Sequence, residues 1–385
     1  MVNSNADALG IIFPNSYDSL VPELVTERLM ASIPFASRYR MVDFILSSMV
    51  NCGIGNVSII VRRNYHSLMD HLGSGREWDL TRKNGGLHIF PPYSDKTVKI
   101  YSGRVEALAS IVGFLRDQKE KYVVMSDANT AMNFDFNALI DAHVTSGADV
   151  TIAYSEEVLP DAALNSPALR NEMYYTLALE DGRVKQMFIN AQETGIQNFC
   201  LNIYIMDREL LIDCIEKAFM RGDIYFERDI LARSLDKLNV RGFKFDGYLA
   251  RICDMKSYFD ENMKLLDEDN LNALFSANPV YTKIRDDNPT RYINGSSVQN
   301  IMAADGCVIE GEVENSVLFR GVKIGKGAKV KNCVLMQDTV VEDGANLEYI
   351  VTDKDVTITA GKELRGTDSL CLLYTSPSPR DRSVS

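Results

Sequence analysis

The sequence predicts two domains, an α/β domain on a mostly parallel sheet followed by a parallel β-helix. Three observations carry this reading. The chain has 385 residues, which is long for one ordinary domain and suits two. In the first part, short apolar runs alternate with helical patterns, which gives parallel strands with helices on both faces. From Ile293 to Ile358 the pattern changes to apolar doublets set among Gly and small polar residues. There Val317, Val322, Ala328, Val334 and Val340 fall near a period of six, the repeat of a β-helix. An irregular β-sandwich is the other reading of that stretch.

The elements follow in order. Residues 9–13 (LGIIF) form a compact apolar run, as in a buried parallel strand. A loop through Asn15 and Pro22 leads to a helix at 44–51, with Asp43 at its start and Gly53 past its end. Strands are expected at 57–61, 122–125 and 149–154, and helices at 107–115 and 136–143. Ligands of such sheets bind at the carboxyl ends of the strands, so chemistry is sought in the loops after Phe13, Val61 and Met125. A helix at 256–266 closes the first domain, and a polar stretch with Pro279 and Pro289 follows. The domain borders are therefore 1–255, a helix and linker at 256–292, and a β-helix at 293–370. The tail from Cys371 reads CLLYTSPSPRD, which resembles a translated sequencing-library adapter. Residues 371–385 are accordingly set apart from the fold.

Composition narrows the function. The formal net charge is −12, which argues against a nucleic-acid partner because phosphate contacts need a basic face. A nucleotide ligand needs only a few local cations and stays open. The seven cysteines are scattered without a C-x-x-C pair, as expected of reduced thiols in a cytoplasmic protein. No apolar run reaches the length of a membrane span, and no cationic segment precedes the first one, so neither a membrane anchor nor a signal peptide is expected.

Residues 33–44 (IPFASRYRMVDF) are similar to the P-F-G-G-K-Y-R-I-I-D-F block of ADP-glucose pyrophosphorylases. So are 73–80 (GSGREWDL), Arg82-Lys83-Asn84-Gly85-Gly86 and Pro91-Pro92-Tyr93. The resemblance covers nearly the whole chain from Leu9. It implies a Rossmann-like nucleotidyltransferase domain followed by a left-handed parallel β-helix of hexapeptide repeats. It also implies the reaction of ATP with glucose 1-phosphate to give ADP-glucose and diphosphate, assisted by Mg²⁺.

Set against the family's motifs, the groups that reaction needs are missing. The Gly-rich phosphate loop falls on Asn15-Ser16-Tyr17-Asp18, where no glycine remains and Asp18 adds negative charge. The loop's Arg falls on Leu20 and the next Lys on Met30. The second metal aspartate falls on Arg251, and the E-K-P motif has no counterpart near Phe188-Ile189-Asn190. Asp127 is retained, as a weak metal site or as a relic that caps a turn. The resemblance therefore implies a non-catalytic, regulatory subunit that itself requires no cofactor, acting through a catalytic ADP-glucose pyrophosphorylase subunit that uses Mg²⁺, in a mixed tetramer. An active adenylyltransferase with a divergent site, and a sugar-phosphate or nucleotide sensor, are the alternatives.

Other residues carry two readings each. Arg38 and Arg40, joined by Arg62 and Arg63, are candidates for an anionic effector; otherwise they are solvated or ion-paired. Trp78, Gly85 and Gly86 are candidates for a nucleotide-loop remnant. In the plainer reading Trp78 is a packing anchor and the glycines make a hairpin turn.

Overall fold

The structure, a computed structural model, describes residues 7–83, 85–92, 101–158, 173–191, 193–367 and 372–374. Asn84, Tyr93 and Cys371, quoted above, lie outside the described residues. The chain divides into two compact units. The first takes the chain up to Ser32, Val42–Leu249 and Asn278–Tyr281; the second takes Ile33–Met41, Ala250–Ala277 and the chain from Thr282 on.

The first unit is built on a nine-stranded sheet. Its parallel half runs Gly86–Phe90, Asn56–Ile60, Ala8–Phe13, Tyr122–Asp127. Alternation along Ala8–Phe13 sorts the core. Leu9, Ile11 and Phe13 face the helices Arg104–Ser110, Val112–Asp117 and Arg208–Arg221. Ala8 and Ile12 face Met41–Asn51 and Phe136–Ser146. The expected helix at 107–115 is two helices. The backbone leaves the helical region at Ile111 (φ −111°, ψ 8°), next to a Ser110 hydroxyl that bonds back to the Ala107 carbonyl at 2.7 Å.

The sheet is more mixed than the sequence predicts. Ile196–Asp207 runs antiparallel between Tyr122–Asp127 and Val150–Val158. Val240–Lys244 then runs parallel to Val150–Val158, and the hairpin Tyr175–Glu180/Arg183–Ile189 completes that side.

In the second unit, the segment Ile33–Met41 is held by the helix Met255–Lys264. The Tyr258 hydroxyl donates to the Pro34 carbonyl (2.8 Å), and Asn262 Oδ1 accepts the Ala36 N–H (3.0 Å). Domain borders drawn along the sequence miss this because segments far apart in the chain pack together. The expected linker also holds a helix, Glu268–Phe275, whose N-cap Asp267 accepts from the Asp269 and Asn270 amides.

Beyond it, parallel strands stack coil on coil, the arrangement of a β-helix. Val317 pairs with Val334 and Val334 with Val351, a repeat of 17 residues. Three corners turn through residues at positive φ: Asn315, Asn332 and Tyr349; Gly321, Asp338 and Asp355; Gly327, Gly344 and Gly361. Cys307, Val322, Ala328, Val341 and Leu347 fill the interior. The tail differs from expectation. Leu372–Tyr374 pairs parallel with Ile350–Thr352. A sheet edge has free N–H and C=O groups, and any extended chain of strand-forming residues can take them. Among the described residues, no helix is long and apolar enough to cross a membrane.

Candidate functional site

The first unit carries a cleft of about 280 Å³ at the carboxyl ends of its central strands, where the sequence places it. The loop after Phe13 forms one wall, and side chains brace it where glycine is absent. Asn15 Nδ2 donates to Asp18 Oδ2 (2.8 Å) and to the Arg63 carbonyl (3.2 Å), while Asn15 Oδ1 accepts the Arg62 N–H (2.7 Å). Asp18 Oδ1 accepts the Met30 N–H at 2.7 Å. Asp18 is thus turned into the loop and does not line the cleft. Burial pushes its carboxyl up to about 6, against the hydrogen bonds from Asn15 and Met30. Tyr17 sits at φ 65°; its hydroxyl donates to the Met173 carbonyl (2.9 Å) and accepts from Asn202 Nδ2 (2.5 Å).

Asp127 ends the strand Tyr122–Asp127 at the floor of this region. Its Oδ1 accepts from the Ser16 hydroxyl (2.6 Å) and from Arg104 Nη2, and its Oδ2 accepts from Asn202 Nδ2 (2.8 Å). Arg104 Nη1 donates to Glu227 Oε1, and the Tyr175 hydroxyl approaches Glu227 Oε2 at 3.4 Å. The Arg104 guanidinium also lies over the Phe13 ring, 4.8 Å from its centroid. The side chains of Asp127 and Glu227 are 1% and 4% exposed, so their charges depend on Arg104. Burial works against the guanidinium charge, but the two carboxylates outweigh it and hold Arg104 protonated far above any working pH. Burial also pushes Glu227 up, opposed by Arg104. Among the described residues, no cluster of three or more His, Cys, Asp or Glu side chains could hold a metal ion.

The remaining predicted residues are distributed as follows. Leu20 is half-buried in the turn Asp18–Leu20, and Met30 is fully buried, so neither presents a cation. Arg251 is buried in Ala250–Arg251 of the second unit. Arg62 and Arg63 line the cleft. Trp78 is 1% exposed and meets His71 edge-on at 5.8 Å, inside the core. Gly85 and Gly86 sit at the amino ends of the strands, away from the cleft. A Cβ at Gly86 would stand 2.5 Å from the Leu80 carbonyl oxygen, which explains the glycine by packing.

Arg38 and Arg40 belong to the second unit, on a hairpin whose turn puts Ala36 and Ser37 at φ 49° and 62°. These are backbone angles that glycine favours, at the two positions where the resembled block has Gly-Gly. Arg38 is exposed. Near it, Arg320 is 4% exposed, with Nε and Nη2 lacking a hydrogen-bond partner; Nη1 donates to the Lys283 carbonyl at 3.0 Å. Burial, with the charges of Arg38 and Arg285, lowers the Arg320 pKa. Arg285 is ion-paired to Asp287, so the donors that fit an anion here are those of Arg320 and the exposed Arg38.

The sequence reading misses Arg104, Glu227, Asn202 and Arg320. Arg104 had a signal. It opens the helix Arg104–Ser110 directly after Gly103, and a cation at the positive end of a helix dipole needs carboxylates nearby. The partners themselves, Asp127 and Glu227, are 23 and 123 residues away, a distance that periodicity does not bridge.

Comparison with known proteins places both units. Residues 24–161 match the nucleotidyl transferase family, and residues 283–369 match the GlmU-like C-terminal hexapeptide family. The chain is 36% identical over 365 residues to the glycogen biosynthesis protein GlgD of Bacillus subtilis (strain 168), covering 94% of each chain. It is 36% identical to GlgD of Geobacillus stearothermophilus, over 85% of this chain and 83% of that one. It is 30% identical to the glucose-1-phosphate adenylyltransferase of Geobacillus stearothermophilus, over 84% of this chain and 83% of that protein.

Proposed function

Because the chain belongs to the glucose-1-phosphate adenylyltransferase (ADP-glucose pyrophosphorylase) family, we propose that it serves glycogen biosynthesis as a regulatory subunit without catalysis of its own. It acts in the cytoplasm through a catalytic homologue, in a mixed tetramer whose left-handed β-helices supply part of the contact surface. The observation that carries this reading is the cleft floor, where Arg104 ties up Asp127 and Glu227. Phosphoryl transfer needs cations aimed at the phosphates, and here the buried cation is aimed at carboxylates. On this reading Mg²⁺ belongs to the catalytic partner. The effector is an anion, a sugar phosphate or a nucleotide, held by Arg38 with Arg320 in the second unit, and Arg40 steadies that hairpin.

Size-exclusion of the chain mixed with a catalytic homologue tests the assembly. Co-elution at tetramer size is expected, and separate elution of the two chains contradicts it. A second reading, a sensor of sugar phosphates or nucleotides, is favoured by the open cleft with Arg62 and Arg63 on its wall. Calorimetric titration of the lone chain with glucose 1-phosphate and ATP separates the two readings. Binding lost in Arg62→Ala without any assembly supports the sensor.

A further inference from the structure

We propose that Arg104 is a built-in substitute for a divalent cation, so that the cleft takes no metal as it stands and becomes a two-carboxylate metal site once Arg104 is removed. The proposal is independent of whether the chain assembles with a homologue.

Divalent cations such as Mg²⁺ and Mn²⁺ need several oxygen ligands with lone pairs free to face them. At Asp127 both oxygens are already taken, Oδ1 by Ser16 and Arg104 and Oδ2 by Asn202. The same guanidinium reaches Glu227 with its other terminal nitrogen. One planar cation therefore bridges two carboxylates that arrive from separate elements, the strand Tyr122–Asp127 and the π-helix Phe226–Leu231. A divalent cation held here would take Asp127 and Glu227 as its charged ligands, the same two groups that Arg104 now pairs. The fit is poor for a metal while Arg104 is present, and its removal frees an oxygen of each carboxylate. Both carboxylates then lose their shared cation, with the Ser16 hydroxyl on Asp127 and solvent reaching in through the cleft that Ser16, Arg104 and Glu227 line. Two buried carboxylates left without a counter-charge must take up a proton or bind another cation, and Mn²⁺ competes for that place.

The test uses the full chain and Mn²⁺ as probe, read by electron paramagnetic resonance and by thermal melting with Mn²⁺ or a chelator. Wild type is expected to bind no Mn²⁺ that Asp127→Asn removes, and its melting temperature is expected to ignore both additions. Arg104→Ala is expected to bind one Mn²⁺ and to melt higher with it. In Arg104→Ala/Glu227→Gln the Mn²⁺ affinity should fall roughly tenfold or more, because ligand charge sets affinity. An Arg104→Ala chain that folds only with Mn²⁺ also upholds the proposal. Wild-type Mn²⁺ binding that Asp127→Asn abolishes overturns it. So does a folded Arg104→Ala chain that binds none, or a double variant that binds as tightly as the single one. If Arg104→Ala folds under neither condition, the wild-type titration alone decides.

Discussion

Arg104 is ion-paired to Asp127 at the floor of the cleft, with both side chains largely withdrawn from water at 14% and 1% exposure. Asp127 is the carboxylate that the sequence reading keeps as a weak metal site or a relic, and its charge is spent inside the protein. The arrangement links the loop after Phe13, the strand Tyr122–Asp127, the helix Arg104–Ser110 and the π-helix Phe226–Leu231. It acts as a structural bolt across these four elements.

Arg104→Ala should therefore destabilise the first unit by about 3–5 kcal/mol, the cost of leaving buried carboxylates unpaired. Urea denaturation of both proteins measures it. A loss below about 1 kcal/mol, the range of exposed pairs, would mean that the triad is solvated.

Asp18 gives a pH signature. Its folded pKa, raised to about 6 from 3.8 chiefly by burial, means that the folded state binds the proton more tightly. The stabilisation from this group is complete below 3.8 and is lost as pH rises through about 6. Relative to Asp18→Asn, wild type should lose up to about 3 kcal/mol between those limits. Denaturation curves at mildly acidic and mildly alkaline pH check the sign. A wild type that gains on the variant as pH rises would contradict it.

The Ala36–Ser37 turn makes a third prediction. Both residues hold positive φ, a conformation that costs a residue with a Cβ about 1–2 kcal/mol. Ala36→Gly should be neutral to stabilising by up to about 1 kcal/mol after the entropy of the unfolded chain is counted. Ala36→Val should destabilise. Melting temperatures rank the three proteins, and valine above glycine would contradict the turn.

How much of this was legible in the sequence depends on how local each signal was. The strand at 9–13, the helix at 44–51 and the loop after Phe13 were legible because apolar periodicity and the rule of carboxyl ends act over short windows. The β-helix was legible from its doublets, although its coils close every 17 residues instead of a whole number of hexapeptides. The antiparallel strand Ile196–Asp207 was not, since a continuous buried run does not declare its direction. Asp18 was misread as a charge facing the cleft, because the fold of the loop, which turns it toward Met30, is not a property of its spacing. Trp78, Gly85 and Gly86 kept two readings, nucleotide-loop remnant or packing, because residue type alone does not separate a buried aromatic or a packed glycine from an exposed one. The tail strand Leu372–Tyr374 was set aside by its origin, whereas pairing responds only to conformation and an open edge.

The most direct measurement is diphosphate release from ATP and glucose 1-phosphate by the purified chain, first alone and then mixed with a catalytic glucose-1-phosphate adenylyltransferase. Alone, the chain should turn over at less than about a hundredth of the catalytic subunit's rate, given that losing even one charge-stabilising donor costs about 10²–10³. On mixing, the catalytic subunit's kcat or KM should improve by a coupling of about 1–3 kcal/mol, roughly 5- to 150-fold. Robust turnover by the lone chain that Asp127→Asn abolishes, together with no change on mixing, would contradict the regulatory role.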